Sequence, residues 1–291
     1  RSVRVKSSLP WTAQELLLLR AHYTTSSRHD LLDMLPGRTW YSMKRVARRI
    51  GATGRDVHPT TFAINSVFFD AWSDEMAYVF GYWMADGHMG LYDGRYRISF
   101  TCKDRDHLEL VRAIMESTHP IKTDDREGRN PCYGLDINSE ELYNGLLRLG
   151  GTPAKSHTAT LPDIPKHYHR SFIRGLIDGD GSVAWAHHGA TPTISLCGTQ
   201  SLLDGVARVV NEQVGVGYFE PHISHHTMYR IQYTGLRAKA LAIWLYQNGD
   251  SALARKATTA QEFRSWEPSP TSHWTQKAMT PKLQAILSQA A

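Results

Sequence analysis

The sequence predicts an α+β protein: two pseudo-symmetric αββαββα repeats with curved antiparallel sheets, preceded by a small three-helix domain. Three observations carry this. One ordered set of features occurs twice along residues 68–265. Within each set, strand-like runs alternate with helical patterns. The N-terminal stretch has helical period and caps but no strand pattern.

At 291 residues and 41% hydrophobic, the chain has room for two domains or one large pseudo-symmetric one with a real core. No stretch approaches the ~18 uninterrupted apolar residues of a membrane span. The start, RSVRVKSSLPW, lacks the apolar core of a signal peptide, so the expectation is an intracellular protein, cytoplasmic or organellar and not secreted. Cys102, Cys132 and Cys197 are too few for a disulfide framework, show no CxxC spacing, and read as ordinary buried thiols. The net charge of +5 is unevenly spread. Residues 1–58 hold 11 Lys/Arg against 4 Asp/Glu, whereas the remainder holds 22 against 24. A basic head on a nearly neutral body points to attraction for phosphate.

The head (residues 1–52) reads as three short helices. Thr12-Ala-Gln-Glu15 has the form of a capping box and is followed by Leu16 to Leu19, which places the first. A second over Arg28–Met34 stops at Pro36-Gly37, and Thr39 caps a third that ends at Gly51. In that third helix Met43, Val46, Ala47 and Ile50 share one face, which leaves Lys44, Arg45, Arg48 and Arg49 outward. The early Trp, the LPGRT turn and the basic third helix resemble Myb/SANT-like helix-turn-helix modules, which implies DNA contacts from those four basic residues. Residues 53–70 read as a linker, with the body starting near Phe68.

Repeat 1 (71–160) opens on YVFGYWMADG at 78–87 and repeat 2 (161–265) on FIRGLIDGDG at 172–181. After each come two strand-like runs, HMGLYD and RYRISFTCK, then SVAWAHH and TPTISLCG. A helix follows, about Asp104–Ser117 and Gln200–Val214. Two more strands come next, Ile121–Arg126 with Tyr133–Asn138, and Gly217–Ser224 with Met228–Thr234. The closing segments ELYNGLLRLGGTPAKS and KALAIWLYQNGDSALARKAT each end near a Lys just past a helix, Lys155 and Lys256. Residues 266–291 form a tail, either wrapped on the body or disordered.

The small residues Gly81 and Ala85, and likewise Gly175 and Gly179, stand at i and i+4 and allow two helix backbones to approach. Asp86 and Asp180, 94 residues apart, end those helices, where the helix dipole disfavours a carboxylate by ~0.3–1 kcal/mol. Side-by-side packing would bring both carboxylates together, and divalent cations would relieve their repulsion. The bland reading is a helix-end Asp in a local turn, and the duplication weighs against it.

The two nonamers, Val79–Gly87 and Ile173–Gly181, resemble the motif of the LAGLIDADG homing endonucleases, and the resemblance covers about residues 68–265. It implies a monomer with an internal twofold axis that cuts double-stranded DNA, Asp86 and Asp180 each serving one strand and leaving 3′ overhangs. It also implies Mg²⁺ as cofactor, with Mn²⁺ as a substitute and Ca²⁺ able to occupy the site without supporting cleavage. The carbonyls of Ala85 and Gly179 are further candidate ligands, and Lys155 and Lys256 are candidates to stabilise the phosphate or tune the water. One departure is Met84 at the sixth motif position, where repeat 2 has Asp178 and the family usually an acid; this bears on local stability more than on chemistry. Strand residues expected to face DNA are Arg95, Arg97, Lys122, Arg126, Arg129, His187, His222, His225 and Arg230. Lys103, or Thr199 and Gln200 in repeat 2, are candidates to hold water or backbone. The alternative is a regulator that binds DNA without cutting, or an RNA maturase, on the same scaffold; intact Asp86 and Asp180 argue for cleavage.

Overall fold

A computed structural model describes residues 10–26, 28–52, 62–92, 94–124, 131–186, 190–225, 228–269 and 279–290. The chain divides into two compact units, Arg1–Phe62 and Ala63–Ala291.

The first unit contains α1 (Ala13–His22), α2 (Arg28–Met34) and α3 (Trp40–Arg49), packed around Leu19, Leu31, Leu35, Met43, Val46 and Ala47. The capping box forms as the sequence predicts: Glu15 N donates to Thr12 Oγ1 at 3.2 Å and Thr12 N to Glu15 Oε2 at 2.8 Å. Glu15 also accepts two bonds from Arg38, at 2.9 and 2.7 Å, and the Arg38 guanidinium lies 4.6 Å from the Trp11 ring centre. The LPGRT turn is thereby tied to the start of α1. Lys44 is half-buried, and Arg45, Arg48 and Arg49 are exposed.

The second unit follows the duplicated order. Its first repeat runs α4 (Asp74–Asp86), β1 (Gly87–Tyr92), β2 (Arg95–Cys102), α5 (Arg105–Ile114), β3 (Ile121–Asp124), β4 (Cys132–Asn138) and α6 (Glu140–Arg148). The second runs α7 (His169–Asp180), β5 (Gly181–Ala186), β6 (Thr191–Gly198), α8 (Gln200–Val214), β7 (His222–His225), β8 (Met228–Thr234) and α9 (Leu236–Leu245). Each repeat forms an antiparallel four-stranded sheet of the same order, β1-β2-β4-β3 and β5-β6-β8-β7. Alternation sends Met89, Ile98, Phe100, Leu135 and Ile137 of the first sheet into a core shared with Val183, Ile194, Leu196 and Ile231 of the second.

Several boundaries differ from the sequence expectation. α5 stops at Ile114 and the chain turns at Glu116, whose φ is +51°. β7 begins at His222 rather than Gly217, because Gly217 takes φ +87° and Pro221 has no N–H to donate to a ladder. The closing segment of repeat 2 contains two helices: α9, then α10 (Ala254–Glu262), with Lys256 in its first turn. Lys155 sits in a single 3₁₀ turn, Lys155–His157. Residues 63–70, read in sequence as the end of a linker, pack on repeat 1: Ala63 N donates to Thr118 Oγ1, Thr118 N donates to Ala63 O, and Phe69 is in the core. The tail also joins the body. α11 (Pro281–Leu287), capped by Thr280, buries Leu283 and Ile286 against α8 and α9, while buried Lys239 holds Trp266 O and Glu267 at 2.8 Å. The three cysteines are free thiols and half-buried rather than buried: Cys132 and Cys197 stand on the outer rows of β4 and β6, and Cys102, on the inner row, is the last residue of β2.

Candidate active site

The site begins with two glycines. A Cβ built on Gly81 would lie 2.0 Å from Phe172 O, and one on Gly175 would lie 2.2 Å from Tyr78 O. No other residue permits α4 and α7 to touch backbone to backbone along this face. At the next turn a Cβ on Gly179 would meet Ala85 Cβ at 2.3 Å and Asp86 Oδ2 at 3.4 Å, so the Asp86 carboxylate reaches across the end of α7. The contact delivers Asp86 and Asp180, the final residues of the two helices, to one place.

Both aspartates present exposed surface. The protein packed around them nevertheless removes enough water to raise both carboxyls above the usual range. Asp180 is pushed up to about 6, first by desolvation and then by repulsion from Asp86. Lys155 and Lys256 oppose the rise, and both residues are buried, 7% and 3% exposed. Desolvation lowers both lysines, Lys256 to about 8, against the attraction of the carboxylates.

Each lysine is fastened to the end of its own repeat's helix. Lys256 Nζ donates to Ile177 O (2.6 Å), Asp178 O (2.9 Å) and Gly181 O (2.7 Å) and lies 3.5 Å from Gly179 O. Lys155 Nζ donates to Gly87 O and stands 4.8 Å over the Trp83 ring. A cation at a helix C-terminus offsets the unfavourable placement of the aspartates there. The Gly179 carbonyl, singled out in sequence as a candidate ligand, therefore lies beside the Lys256 ammonium. Ala85 precedes Asp86 in the last turn of α4.

The loop that carries each lysine is held differently. In repeat 2 the buried Asp178 accepts from Tyr78 OH (2.8 Å), Tyr246 OH (2.8 Å) and Leu253 N (2.7 Å). Arg174, 1% exposed, donates to Leu245 O, Asp250 and Ser251 O. In repeat 1 the corresponding residues are Phe80 and Met84, both buried, and the loop instead packs Gly151 against the Trp83 ring. The departure at Met84 thus replaces a polar clasp by an apolar one. Sequence reasoning missed Tyr78, Tyr246, Arg174, Asp250 and Trp83. The available signal was a charged Arg174 inside an otherwise apolar motif helix.

Strand alternation places Arg95, Arg97 and Lys122 on the outer face of the first sheet, with Tyr92, Asp136 and Asn138. Arg97 Nε donates to Asn138 Oδ1 at 3.2 Å while its guanidinium lies 5.1 Å from the Tyr92 ring centre, and Lys122 pairs with Asp136 at 2.8 Å. Arg230 and His222 lie on the outer face of the second sheet. Arg126, Arg129 and His187, like the side chain of His225, fall outside the described residues. The registers equate Lys103 with Thr199, the residues just after β2 and β6. Lys103 is exposed on a cleft of about 510 Å³ near Asp104 and Arg255, which pair at 3.1 Å. Thr199 caps α8 through Leu202 N, which assigns it a structural task; Gln200 is the first residue of α8.

Among the described residues no group of three or more His, Cys, Asp and Glu gathers to hold a metal, and no helix is long and apolar enough to cross a membrane. No curated protein matches the chain. Among solved structures it is similar to mesophilic variants of the homing endonuclease I-DmoI (18% identity, covering 67% of this chain and 97% of that one, TM-score 0.44). It is also similar to the meganuclease I-SmaMI bound to uncleavable DNA (12%, 66% and 87%, 0.45) and to the LAGLIDADG homing endonuclease I-LtrWI bound to target DNA (10%, 69% and 89%, 0.44). Residues 73–149 match the LAGLIDADG-like domain, a span that contains α4 through α6. The chain thus carries a LAGLIDADG-like domain as its first repeat, and α7 through α9 repeat its order of elements and its sheet topology.

Proposed function

We propose that the protein is a site-specific double-strand DNA endonuclease that uses divalent metal ions and leaves 3′ overhangs. The observation that carries this reading is the meeting of Asp86 and Asp180 at one end of a backbone-to-backbone helix pair, each near a buried lysine. Two carboxylates with few further side-chain ligands suit a hard cation that keeps much of its water, as Mg²⁺ does, better than a closed protein cage. Asp86, Asp180 and the Ala85 and Gly179 carbonyls are the groups that would hold it. When bound, such ions activate water and stabilise charge on the transferring phosphate.

The chain's own residues have separable tasks in this reading. Asp86 and Asp180 each serve one strand, and their mutual repulsion, which raises Asp180, drives cation uptake. Lys155 and Lys256 hold the helix ends in place and keep positive charge beside the phosphate. The outer sheet faces supply base contacts and exposed Lys103 a backbone contact. Arg45, Arg48 and Arg49 of α3, with Lys44, add phosphate contacts from the first unit, whose basic balance favours them.

The test is selection of cleaved products from a randomised duplex library in Mg²⁺, with Asp86→Asn and Asp180→Asn alongside. Recurrent staggered double-strand cuts, reduced to nicking or lost in the variants, are expected. Specific retention of DNA without cutting, identical in all three proteins, would leave a binding protein and refute the nuclease.

A further inference from the structure

The two sheets have one topology and one register, so their outer faces compare position by position. In the first sheet Gly90 pairs with Arg97, which pairs with Asn138; in the second, Ala184 pairs with Thr193, which pairs with Thr234. Tyr92 and Arg95 correspond in the same way to Ala186 and Thr191, and Asp136 to Gln232. The positions of Gly90, Tyr92, Arg95, Arg97 and Asn138 and their counterparts lie toward the ends of the sheets away from Asp86 and Asp180, which β1 and β5 directly follow, whereas Asp136 and Gln232 align through Ser99 and Ser195 with His88 and Ser182 and lie nearer the aspartates.

The chemistry of the two rows is opposite. Arg95 is exposed, and Arg97 is held ready by Asn138 and Tyr92 through its Nε and its ring-facing side; among the described residues its two terminal nitrogens have no partner. A guanidinium presented in this way matches the O6 and N7 acceptors of guanine. The second row offers methyl and hydroxyl groups with one exposed amide, Gln232. Threonine and alanine methyls pack on the thymine methyl, and glutamine pairs with N6 and N7 of adenine. No guanidinium stands at those far positions of the second sheet; Arg230, on the same face, aligns through Cys197 with the place that Gly134 takes in the first sheet, nearer the aspartates.

On the reading above that the outer faces contact DNA, we propose that the two halves of the target are chemically unlike. The outer part of the half under the first sheet carries guanines read by Arg95 and Arg97, and the outer part of the half under the second sheet is A·T-rich, read by Thr191 and Thr193, with Gln232 reading adenine nearer the centre. The specificity-determining residues of the outer target are thus four, two from each repeat.

The experiment is selection of bound duplexes from a randomised library by the full chain in Ca²⁺, comparing wild type with Arg95→Thr/Arg97→Thr, which copies the second row onto the first. Both arginines are on the outer face, and circular dichroism of the variant checks that the fold is unchanged. The expected wild-type target has outer guanines in one half only. In the variant those guanines lose about 10- to 100-fold of their preference each, while the A·T half stays as it was. Outer guanines in both halves, or outer guanines that survive the double substitution while affinity drops for every sequence alike, would overturn the assignment and leave the DNA reading intact. Enrichment of no duplex at all would refute both.

Discussion

Substitution of Gly175 by alanine probes the contact on which the active site depends. The new Cβ would stand 2.2 Å from Tyr78 O and 2.6 Å from Tyr82 N. Both are backbone atoms, so no side chain can rotate away. Restoring an ordinary carbon–oxygen contact requires the two helices to separate by about 1 Å. Overpacking of this kind costs about 1–3 kcal/mol, and two unyielding backbones place it at the upper end; the better helix propensity of alanine returns up to ~1 kcal/mol. A net loss of roughly 2 kcal/mol lowers the midpoint of thermal unfolding by about 4–8 °C for a body of this size. Separation at Gly175 propagates to Asp86 and Asp180 within two turns, and a displacement near 1 Å reduces cleavage by up to about 100-fold. Calorimetry and single-turnover cleavage of the selected target measure the two effects. Gly134→Ala is the control, since its nearest atom, Phe100 O, is 4.0 Å away, and its midpoint is expected to stay put. An unchanged midpoint and rate for Gly175→Ala would refute the helix contact as described.

Three further outcomes are expected. Asp180 is pushed up to about 6, so Mg²⁺ affinity measured by calorimetric titration falls about tenfold per pH unit below 6, where the carboxyl gains its proton; Asp86→Asn removes the repulsion and moves that midpoint lower. An affinity flat from pH 7 to 5 would contradict this. Asp178→Leu leaves Tyr78, Tyr246 and Leu253 N without their acceptor and costs about 3–5 kcal/mol in urea unfolding, whereas Tyr78→Phe and Tyr246→Phe cost about 1–2 kcal/mol each; a neutral Asp178→Leu would mean the clasp is absent. In the first unit Arg38 holds Glu15 down at about 2, so the pair stabilises that unit above about pH 4.5 and the contribution disappears as pH falls towards 2. Screening at this partly open site limits it to about 1–2 kcal/mol. Amide exchange of α1 in the full chain, with Glu15→Gln as reference, reads the effect; identical pH dependence in both proteins would exclude it.

The duplicated order of elements, the helix contact and the paired carboxylates were legible because each leaves a local mark: small residues four apart, an Asp before a Gly, and the same marks 94 residues later. The clasp around Asp178 was not, because its donors stand 68 to 100 residues away with no pattern of their own. Burial of the lysines was equally hidden, since a Lys beyond a helix reads as solvated until the loop is seen to fold back. The start of β7 was misread for want of weight on Gly217 and Pro221. The tail helix did have a signal, Thr280-Pro281 ahead of Leu283 and Ile286, which is a cap, an N1 proline and an apolar pair at helical spacing. Outer-face residues followed from alternation where the strands are described, and alternation alone could not foresee that Arg97 would be fixed by Asn138 and Tyr92.

Tyr78 and Phe172 occupy the same place in the two motif helices, yet only Tyr78 brings a hydroxyl to Asp178. A homodimer made of the second repeat alone would set Phe172 opposite Asp178 and strand one side of a buried carboxylate; a homodimer of the first would have no carboxylate for its tyrosine to meet. Cut in two, the halves would therefore pair with each other more favourably than with themselves. The shared clasp thus works as a key between unlike halves: it favours cross-pairing over self-pairing, and it leaves the outer sheet faces free to differ without any penalty in the core.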